Sequence, residues 1–529
     1  MFDILIRNGR IIDGTGNPWF RADIGIEGGR IKAIGSLAGA EAATVIDVRG
    51  QIVAPGFIDI HSHADYTLLV DPKAESAIRQ GVTTLIVGNC GHSAAPLTHP
   101  EDLKNVVLGY LANPGFDITW RRMNEYLDLL EQRGIAVNVG SLVGHNAVRV
   151  AVMGYESCLA TPEELEQMKR RLAEALDEGA LGFSTGLEYT PGNFSDTHEV
   201  VELCRVAAGA QRFYATHVRQ RDYQAIEAAK EAIRIATEAK VPLQFSHLPP
   251  RIWAPRHAND VMIEMVEEAT RKGLEATFDS IVYAWGATTL ATILPPWARE
   301  GGPLKTLERL KDPETREKIK AYRFPLFKFV VAGQWDEVAL YYSEKNPQYC
   351  GMTFAEIGRE RGKDPHEAIL DLILEEGPDF YGMMWSAHSQ DEKEIEAALK
   401  HPHCIPESDG LTLAHSGPLA RMHHPFTYGW VARMLGYYVR ERKLVPLEEA
   451  IRKMTSFPAQ KVGLRDRGLV REGLWADLVI FDEATVEDHT SLKNPDAYPS
   501  GFSHVLVNGH GVFDGQRHTG ALQGVVIRR

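Results

Sequence analysis

The sequence lacks the features of a disulfide framework, a membrane span and a nucleic-acid-binding surface. Its five cysteines among 529 residues are scattered and odd in number, which argues against paired disulfides. No apolar run approaches the length of a transmembrane helix, and charged residues interrupt the N-terminus where a signal peptide would be apolar. The formal net charge of −14 disfavours nucleic acid or an acidic membrane surface as partner. We therefore expect a cytoplasmic protein with a small-molecule partner.

Both ends of the chain have the pattern of short strands joined by tight turns. Asn8-Gly9 and Asn508-Gly509 each interrupt an alternating apolar stretch, which is a strong hairpin signal. Two strand-rich ends with the same turn chemistry most simply pair with each other into one sheet or sandwich. We predict one small β-sandwich domain built from residues 1–55 and 465–529.

The middle of the chain, residues 56–464, alternates short apolar segments with helical patterns. This alternation is typical of repeated βα units, and eight such units close a (β/α)8, TIM-like barrel. Nine segments qualify as strands, and we predict that the eighth of them is either not a strand or lies outside the barrel; they are 57–62, 83–88, 135–141, 181–185, 213–217, 242–247, 275–282, 380–386 and 404–408.

Residues 285–350 break this rhythm with clustered proline and glycine, as in Leu294-Pro295-Pro296 and Gly301-Gly302-Pro303. An insertion after a late barrel strand falls near the C-terminal face, where active sites of such barrels lie. We expect an inserted subdomain. It is either a lid over the substrate or an inert packing unit.

The first barrel strand ends with Asp59, His61 and His63. The rest of the chain is organised around this stretch. In an extended strand these alternate side chains share a face. Burying two imidazoles and a carboxylate costs free energy unless something binds them, and zinc is a common partner of neutral imidazole. The alternative is a pair of solvated loop histidines.

Three further potential zinc ligands occur where later strands meet their loops. Cys90 follows the second strand, and His217 and His247 end two others. A lone cysteine is more often an apolar filler, but a thiolate is also a strong zinc ligand. Because parallel strands end at one mouth of the barrel, the combination predicts a metal centre there.

Asp409 stands before a glycine at the end of the last strand. An Asp-Gly pair often forms a simple turn. At this rim a carboxylate can instead take a proton from a metal-activated water and pass it to a leaving group. We predict Asp409 as the catalytic acid–base.

The motifs resemble the amidohydrolase superfamily and, within it, the N-acyl-D-amino-acid deacylases (D-aminoacylases). The resemblance covers nearly the whole chain. It begins with Pro55-Gly56-Phe57-Ile58-Asp59-Ile60-His61-Ser62-His63 and continues through 80–91, 182–187, 408–410, 435–441 and 473–479. In related amidohydrolases such as hydantoinases a carboxylated lysine is shared between metals, whereas the resembled family has a cysteine there, and Cys90 stands in the matching place.

The resemblance implies a division of the metal ligands into two sets. Cys90, His217 and His247 would hold a tightly bound zinc, and His61 and His63 would offer a second, weaker position. It also implies that Asp409 activates water and protonates the departing amine. Tyr189 and Tyr283 match tyrosines that line the family's pocket, with simple packing as the alternative. His145, which ends another candidate strand, is a further candidate for orienting a ligand or the substrate.

Two departures from the family concern the substrate. The family commonly has His-Lys after the histidine that corresponds to His247, where this chain has Leu248-Pro249. Phe426 stands in place of a family arginine associated with the substrate α-carboxylate, and phenylalanine cannot form a charge-assisted pair. Either another cation replaces it, with Arg219, Arg251 and Arg256 as candidates, or the substrate lacks that carboxylate.

The sequence thus predicts a zinc-dependent hydrolase of an N-acylated small molecule, with an N-acyl-D-amino acid as the expected substrate. One alternative keeps the metal chemistry but acts on a cyclic amide or an amide without a free carboxylate. A second alternative is a non-catalytic barrel that binds a ligand.

Overall fold

The computed structural model describes residues 1–111, 114–323, 326–424 and 426–529. The strands fall into a terminal sheet, a barrel and a small third sheet. In chain order they are β1 (Phe2–Ile11), β2 (Phe20–Glu27), β3 (Arg30–Gly35), β4 (Ala42–Asp47), β5 (Ile52–Pro55), β6 (Phe57–Asp59), β7 (Val82–Val87), β8 (Asn138–Gly144), β9 (Gly182–Gly186), β10 (Phe213–His217), β11 (Leu243–Phe245), β12 (Ala276–Ile281), β13 (Trp285–Thr289), β14 (Val338–Tyr342), β15 (Met384–His388), β16 (Cys404–Glu407), β17 (Leu478–Phe481), β18 (Phe502–Val507) and β19 (His510–Phe513).

Helices connect most of these strands, and a π-helix spans Arg433–Glu441. Among the described residues, no helix has both the length and the apolar character needed to cross a bilayer. The α-helices are α1 (Thr67–Val70), α2 (Glu75–Ile78), α3 (Leu103–Val106), α4 (Met123–Arg133), α5 (His145–Met153), α6 (Pro162–Asp177), α7 (Thr197–Gly209), α8 (Ala225–Ala239), α9 (Ala258–Arg271), α10 (Pro296–Arg299), α11 (Gly302–Leu310), α12 (Pro313–Ala321), α13 (Lys328–Ala332), α14 (Phe354–Glu360), α15 (Pro365–Glu376), α16 (Glu392–Lys400), α17 (Trp430–Ala432), α18 (Leu447–Met454) and α19 (Ser456–Val462).

The barrel consists of eight parallel strands in the order β6, β7, β8, β9, β10, β11, β12 and β16. It closes where the segments after β6 and β16 meet, through a parallel bridge between Ser62 and Gly410. The amide of His63 donates to the carbonyl of Gly410 at 2.8 Å, and that of Asp409 donates to His61 at 3.0 Å. The predicted (β/α)8 barrel is confirmed, and closure brings the first and last strand ends into contact.

The predicted strand outside the barrel is also confirmed. β15 is the middle strand of a three-stranded antiparallel sheet with β13 and β14. Another predicted strand, 135–141, begins three residues later than expected, at Asn138. Residues 135–137 are apolar and buried, so they extend the hydrophobic pattern of β8 although they do not pair with β7.

The two chain ends pair as predicted, in one mixed sheet. β5 pairs with both β1 and β17, which joins the N-terminal strands to the C-terminal ones. The sheet branches at β1, which also pairs with β2 and β4. Isoleucines, valines and leucines from both ends fill one shared core, including Ile6, Ile24, Ile31, Leu478 and Leu506.

The segment between β12 and β16 has a hydrophobic core of its own, formed by residues between Leu290 and Ala387. The sequence prediction ended the inserted segment at residue 350. The packed elements run on to β15, because that strand pairs with both of the others in the small sheet. The inserted segment therefore extends further than its proline- and glycine-rich part.

Candidate metal centre

The C-terminal ends of the barrel strands bring together six of the side chains singled out in the sequence. His61 and His63 follow β6, Cys90 follows β7, His217 ends β10, His247 follows β11 and Asp409 follows β16. The histidines and the cysteine are buried, and the side chain of Asp409 keeps 14 % exposure. The carboxyl ends of parallel barrel strands form one mouth, so residues far apart in sequence meet there.

The first group of possible metal ligands is Cys90, His217 and His247. Sγ of Cys90 lies 3.6 Å from Nδ1 of His217 and 3.5 Å from Nε2 of His247. The second group is His61, His63, Cys90 and Asp409. Nε2 of His61 lies 3.2 Å from the same sulfur, and Nε2 of His63 lies 3.1 Å from Oδ1 of Asp409. Cys90 therefore belongs to both groups.

Three of these side chains project from a backbone with positive φ. The values are 51° at Cys90, 34° at His247 and 49° at Asp409. Non-glycine residues adopt this region uncommonly, and such conformations concentrate at functional sites. Each of the three lies two or three residues beyond the end of a strand, so the left-handed turn redirects the side chain at the rim of the barrel.

Buried carboxylates contact two of the histidines on their far sides. Nε2 of His217 lies 2.7 Å from Oε2 of Glu188, and Nδ1 of His61 lies 3.4 Å from Oδ1 of Asp279. A carboxylate in this position fixes the ring orientation and the tautomer of a metal-ligating histidine. The alternation of side chains along the strand suggested that Asp59 would lie on the same face as His61 and His63. Instead, its carboxylate accepts a hydrogen bond from Oγ of Ser408 at 2.5 Å and does not join the centre.

The electrostatics favour the ionised forms of Cys90 and Asp409. Burial raises the pKa of the Cys90 thiol, but the charge of His61 and hydrogen bonds with His217, His61 and His63 outweigh it and hold that pKa well below its usual value. Burial likewise raises the pKa of Asp409. The hydrogen bond with His63 and the charges of His61 and His63 lower the pKa of Asp409 by more than burial raises it. The centre therefore offers a thiolate and a carboxylate at neutral pH.

A cavity of about 30 Å³ adjoins Asp409 and His217. Its wall combines barrel residues such as Tyr189 and Arg221 with Phe327 and Trp385 of the inserted segment. This space holds about one water molecule. An N-acyl amino acid is larger than this volume. The inserted segment contributes to that wall, as the lid interpretation requires. A larger open groove of about 790 Å³ lies between α8 and α9 on the outside of the barrel.

Of the predicted substrate contacts, Tyr189 lies at the cavity, with its ring 4.8 Å from those of His217 and His92. The other three have partners elsewhere. Arg219 forms an ion pair with Glu231 at 2.9 Å, His145 lies 2.7 Å from Glu199, and the hydroxyl of Tyr283 donates to Asp488 at 2.9 Å. Of these four residues, Tyr189 is the one that lines the cavity.

The two remaining candidate cations differ. Arg256 is exposed, whereas Arg251 is buried, lines the cavity and donates to both oxygens of Glu188 at 3.0 and 2.5 Å. Sequence reasoning missed Glu188, Asp279 and Arg221. A sequence signal for Glu188 is that it directly follows the motif 182–187, just after the end of β9.

Comparison with known proteins identifies the family of this arrangement. A model of the amidohydrolase family matches residues 44–293 and 394–513. The chain belongs to this family. A D-aminoacylase of Alcaligenes xylosoxydans xylosoxydans is 34 % identical over 531 residues, which cover 100 % of this chain and 98 % of that protein. This amidohydrolase is therefore a metal-dependent enzyme related to the N-acyl-D-amino-acid deacylases.

Solved structures agree with that assignment. The N-acyl-D-glutamate deacylase of Bordetella bronchiseptica, in complex with zinc and a phosphonate mimic of the tetrahedral intermediate, matches with a TM-score of 0.82 and 31 % identity. A D-aminoacylase with a binuclear metal centre, for which one-metal activation and second-metal attenuation are described, matches with a TM-score of 0.83 and 31 % identity. Both matches cover 100 % of this chain and 100 % of the other.

Proposed function

We propose that this amidohydrolase uses zinc to hydrolyse a linear N-acyl amide, with an N-acyl-D-amino acid as substrate and a carboxylate and a D-amino acid as products. The observation that carries the proposal is the position of Asp409. Its carboxylate lies 3.1 Å from Nε2 of His63 and 3.4 Å from Nε2 of His61, at the mouth where Cys90 joins two groups of metal ligands. The similarity to a D-aminoacylase over the full chain supports the substrate class.

The donor set fits zinc. In a tetrahedral site, Zn–S bonds near 2.3 Å and Zn–N bonds near 2.0 Å place sulfur and nitrogen about 3.5 Å apart. The separations from Sγ of Cys90 are 3.6 Å to His217 and 3.5 Å to His247. These three residues would hold the tightly bound zinc. His61 and His63, with Cys90 and Asp409, would offer a second and weaker position.

The reaction follows from the positions of these groups. Bound zinc supplies a Lewis acid that polarises the amide carbonyl and acidifies a water molecule. Asp409 is ionised, so it accepts the proton of the attacking water as the new C–O bond forms. It then delivers that proton to the amide nitrogen as the C–N bond breaks, so that the amine departs in neutral form. The hydrogen bond with His63 holds the carboxylate in place for both transfers.

A second candidate substrate is a cyclic amide or an amide without a free carboxylate. Phe426 is fully buried, and its ring stacks on Tyr283 with 5.8 Å between the centroids. It therefore offers no charge where the resembled family carries an arginine. Pro249 likewise offers no cation after His247.

Hydrolysis of paired substrates tests the proposal. Zinc-loaded protein is assayed with N-acetyl-D- and N-acetyl-L-amino acids, their carboxamides and a cyclic amide such as a hydantoin, alongside the Asp409→Asn variant. We expect turnover of the D-acids, with kcat reduced about 10²- to 10⁴-fold in the variant, the range for loss of a general acid–base. Turnover of carboxamides or hydantoins alone would favour the second candidate. Binding without turnover of any of these compounds would favour a ligand-binding barrel and overturn the proposal.

A further inference from the structure

The cavity beside Asp409 contains two arginines with different surroundings. Arg251 is neutralised, because Glu188 accepts hydrogen bonds from both of its terminal nitrogens and Asp222 lies 3.8 Å away. Arg221 keeps 7 % exposure and lines the same cavity. Within the described ranges, no carboxylate lies within ion-pair distance of its guanidinium. It is therefore a buried positive charge with no direct ion pair among the described residues, although the charges of Glu188 and Asp409 favour it from a longer distance.

The hydrogen bonds of Arg221 hold it rigidly and use one of its three side-chain nitrogens. Nη2 donates to the carbonyls of His247 and Pro249, both at 2.9 Å. The backbone amide of Arg221 donates to Oε1 of Glu188 at 3.1 Å, and its carbonyl accepts from the amide of Arg251 at 3.0 Å. Among the residues that the structure describes, Nε and Nη1 form no hydrogen bond, so they remain available to a ligand.

The position of Arg221 compensates for the missing cations. Its guanidinium lies against the backbone of Pro249, the residue that stands where the resembled family carries a lysine. Burying an arginine without a counter-charge is unfavourable unless a ligand supplies one. A carboxylate fits, because hydrogen bonds between a guanidinium and a carboxylate are charge-assisted. Arg221 also projects into the same cavity as Asp409, where the portion of a substrate beyond the scissile amide must lie.

We propose that Arg221 binds the carboxylate of the substrate and takes over the role that Phe426 cannot perform. This inference rests on the proposed function, because it names the group that recognises the acid of an N-acyl amino acid. It makes the enzyme specific for acids over their carboxamides, with the charge supplied from the loop after β10.

Binding to the inactive Asp409→Asn protein separates recognition from turnover. The ligands are N-acetylglycine and N-acetyl-D-leucine, each compared with its carboxamide, in the parent and in variants with Arg221→Met or Arg221→Lys. We expect the parent to prefer the acids. Arg221→Met should weaken acid binding about 10- to 100-fold, the loss expected for a hydrogen bond to a charged group, and should leave carboxamide binding within about threefold. Lysine should restore part of the preference because it keeps the charge.

Arg219→Met is the matched control, because it removes a guanidinium two residues away that pairs with Glu231. It should leave the ratio of acid to carboxamide affinity unchanged. Equal binding of acids and carboxamides by the parent would overturn the role of Arg221. So would an equal loss of both in Arg221→Met, since that result means only that Arg221 holds the 247–249 backbone.

Turnover assays of the enzyme with Asp409 intact distinguish a wrong role for Arg221 from a wrong proposed function. Hydrolysis of the acids with a preference that survives Arg221→Met would overturn the role of Arg221 and leave the proposed function standing. An acid preference in binding that depends on Arg221, without hydrolysis of any N-acyl amino acid, would support the binding site and overturn the proposed function.

Discussion

His217 and Glu188 form a buried pair in which the carboxylate lies 2.7 Å from Nε2 of the ring. The opposite nitrogen of His217, Nδ1, faces Sγ of Cys90 at 3.6 Å. Burial raises the pKa of Glu188, but the charge of Arg251 and the hydrogen bond with His217 lower it to about 2 overall. The carboxylate therefore stays ionised and fixes the tautomer in which Nδ1 presents its lone pair to a metal.

Replacing Glu188 with glutamine should weaken metal binding. Loss of a carboxylate that orients a metal-ligating histidine typically costs 10- to 100-fold in metal affinity or activity. We expect a shift of that size in zinc affinity, measured by competition with a chelator. Glu199→Gln is the matched control, because Glu199 contacts another buried histidine and arginine, His145 and Arg149, away from the centre. An equal shift in both variants would mean that a general loss of stability is responsible.

Cys90 should be necessary for both metal positions, because its sulfur belongs to both ligand groups. We expect Cys90→Ser protein to retain less than one tightly bound zinc per chain after dialysis, measured by elemental analysis, and to lose hydrolytic activity. Cys204→Ser removes another fully buried cysteine, on α7, and should keep its zinc. Full zinc occupancy in Cys90→Ser would contradict the assignment of the thiolate as a ligand.

The sequence predicts the fold and the metal-ligand candidates for the same physical reason. Parallel strands are largely apolar because both of their faces are buried, so the end of each strand is readable where the apolar run gives way to polar residues. In a closed barrel those positions share one rim, and His217, His247 and Asp409 meet there. Asp59 departs from the pattern because it precedes the rim, where Ser408 from the adjoining strand end satisfies it.

Contacts between loops could not be predicted in the same way. Tyr283 comes two residues after β12, but its hydroxyl bonds Asp488 from the C-terminal part of the chain. Arg219 and Arg221 are two residues apart in one loop, and only the fold shows that Glu231 pairs with Arg219. Glu188 could have been found from the strand order, because Gly186 pairs with His217 across neighbouring strands. The residues after β9 must then lie beside the end of β10.

Lys461, on α19, provides a test of the fold that is independent of the metal centre. Its side chain is 1 % exposed, and Nζ donates to the carbonyl of Leu243 at 2.9 Å. Burial lowers the pKa of Lys461 from its usual 10.5 to about 8, which the nearby Glu275 only partly offsets. The charged lysine is therefore less favourable in the folded chain than in the unfolded one.

The free energy of unfolding should consequently rise with pH between about 8 and 10.5. In that interval the unfolded chain binds a proton at Lys461 that the folded chain has released, and stability increases with pH wherever the unfolded state binds more protons. The full difference corresponds to about 3 kcal/mol. Lys461→Met should remove this component, which is measured as the difference between wild-type and variant stability from pH 7.5 to 10.5. Lys272→Met, which removes an exposed lysine on the barrel's outer surface, should retain the wild-type slope. Parallel curves for wild type and Lys461→Met would mean that the buried lysine stays charged through its carbonyl hydrogen bonds.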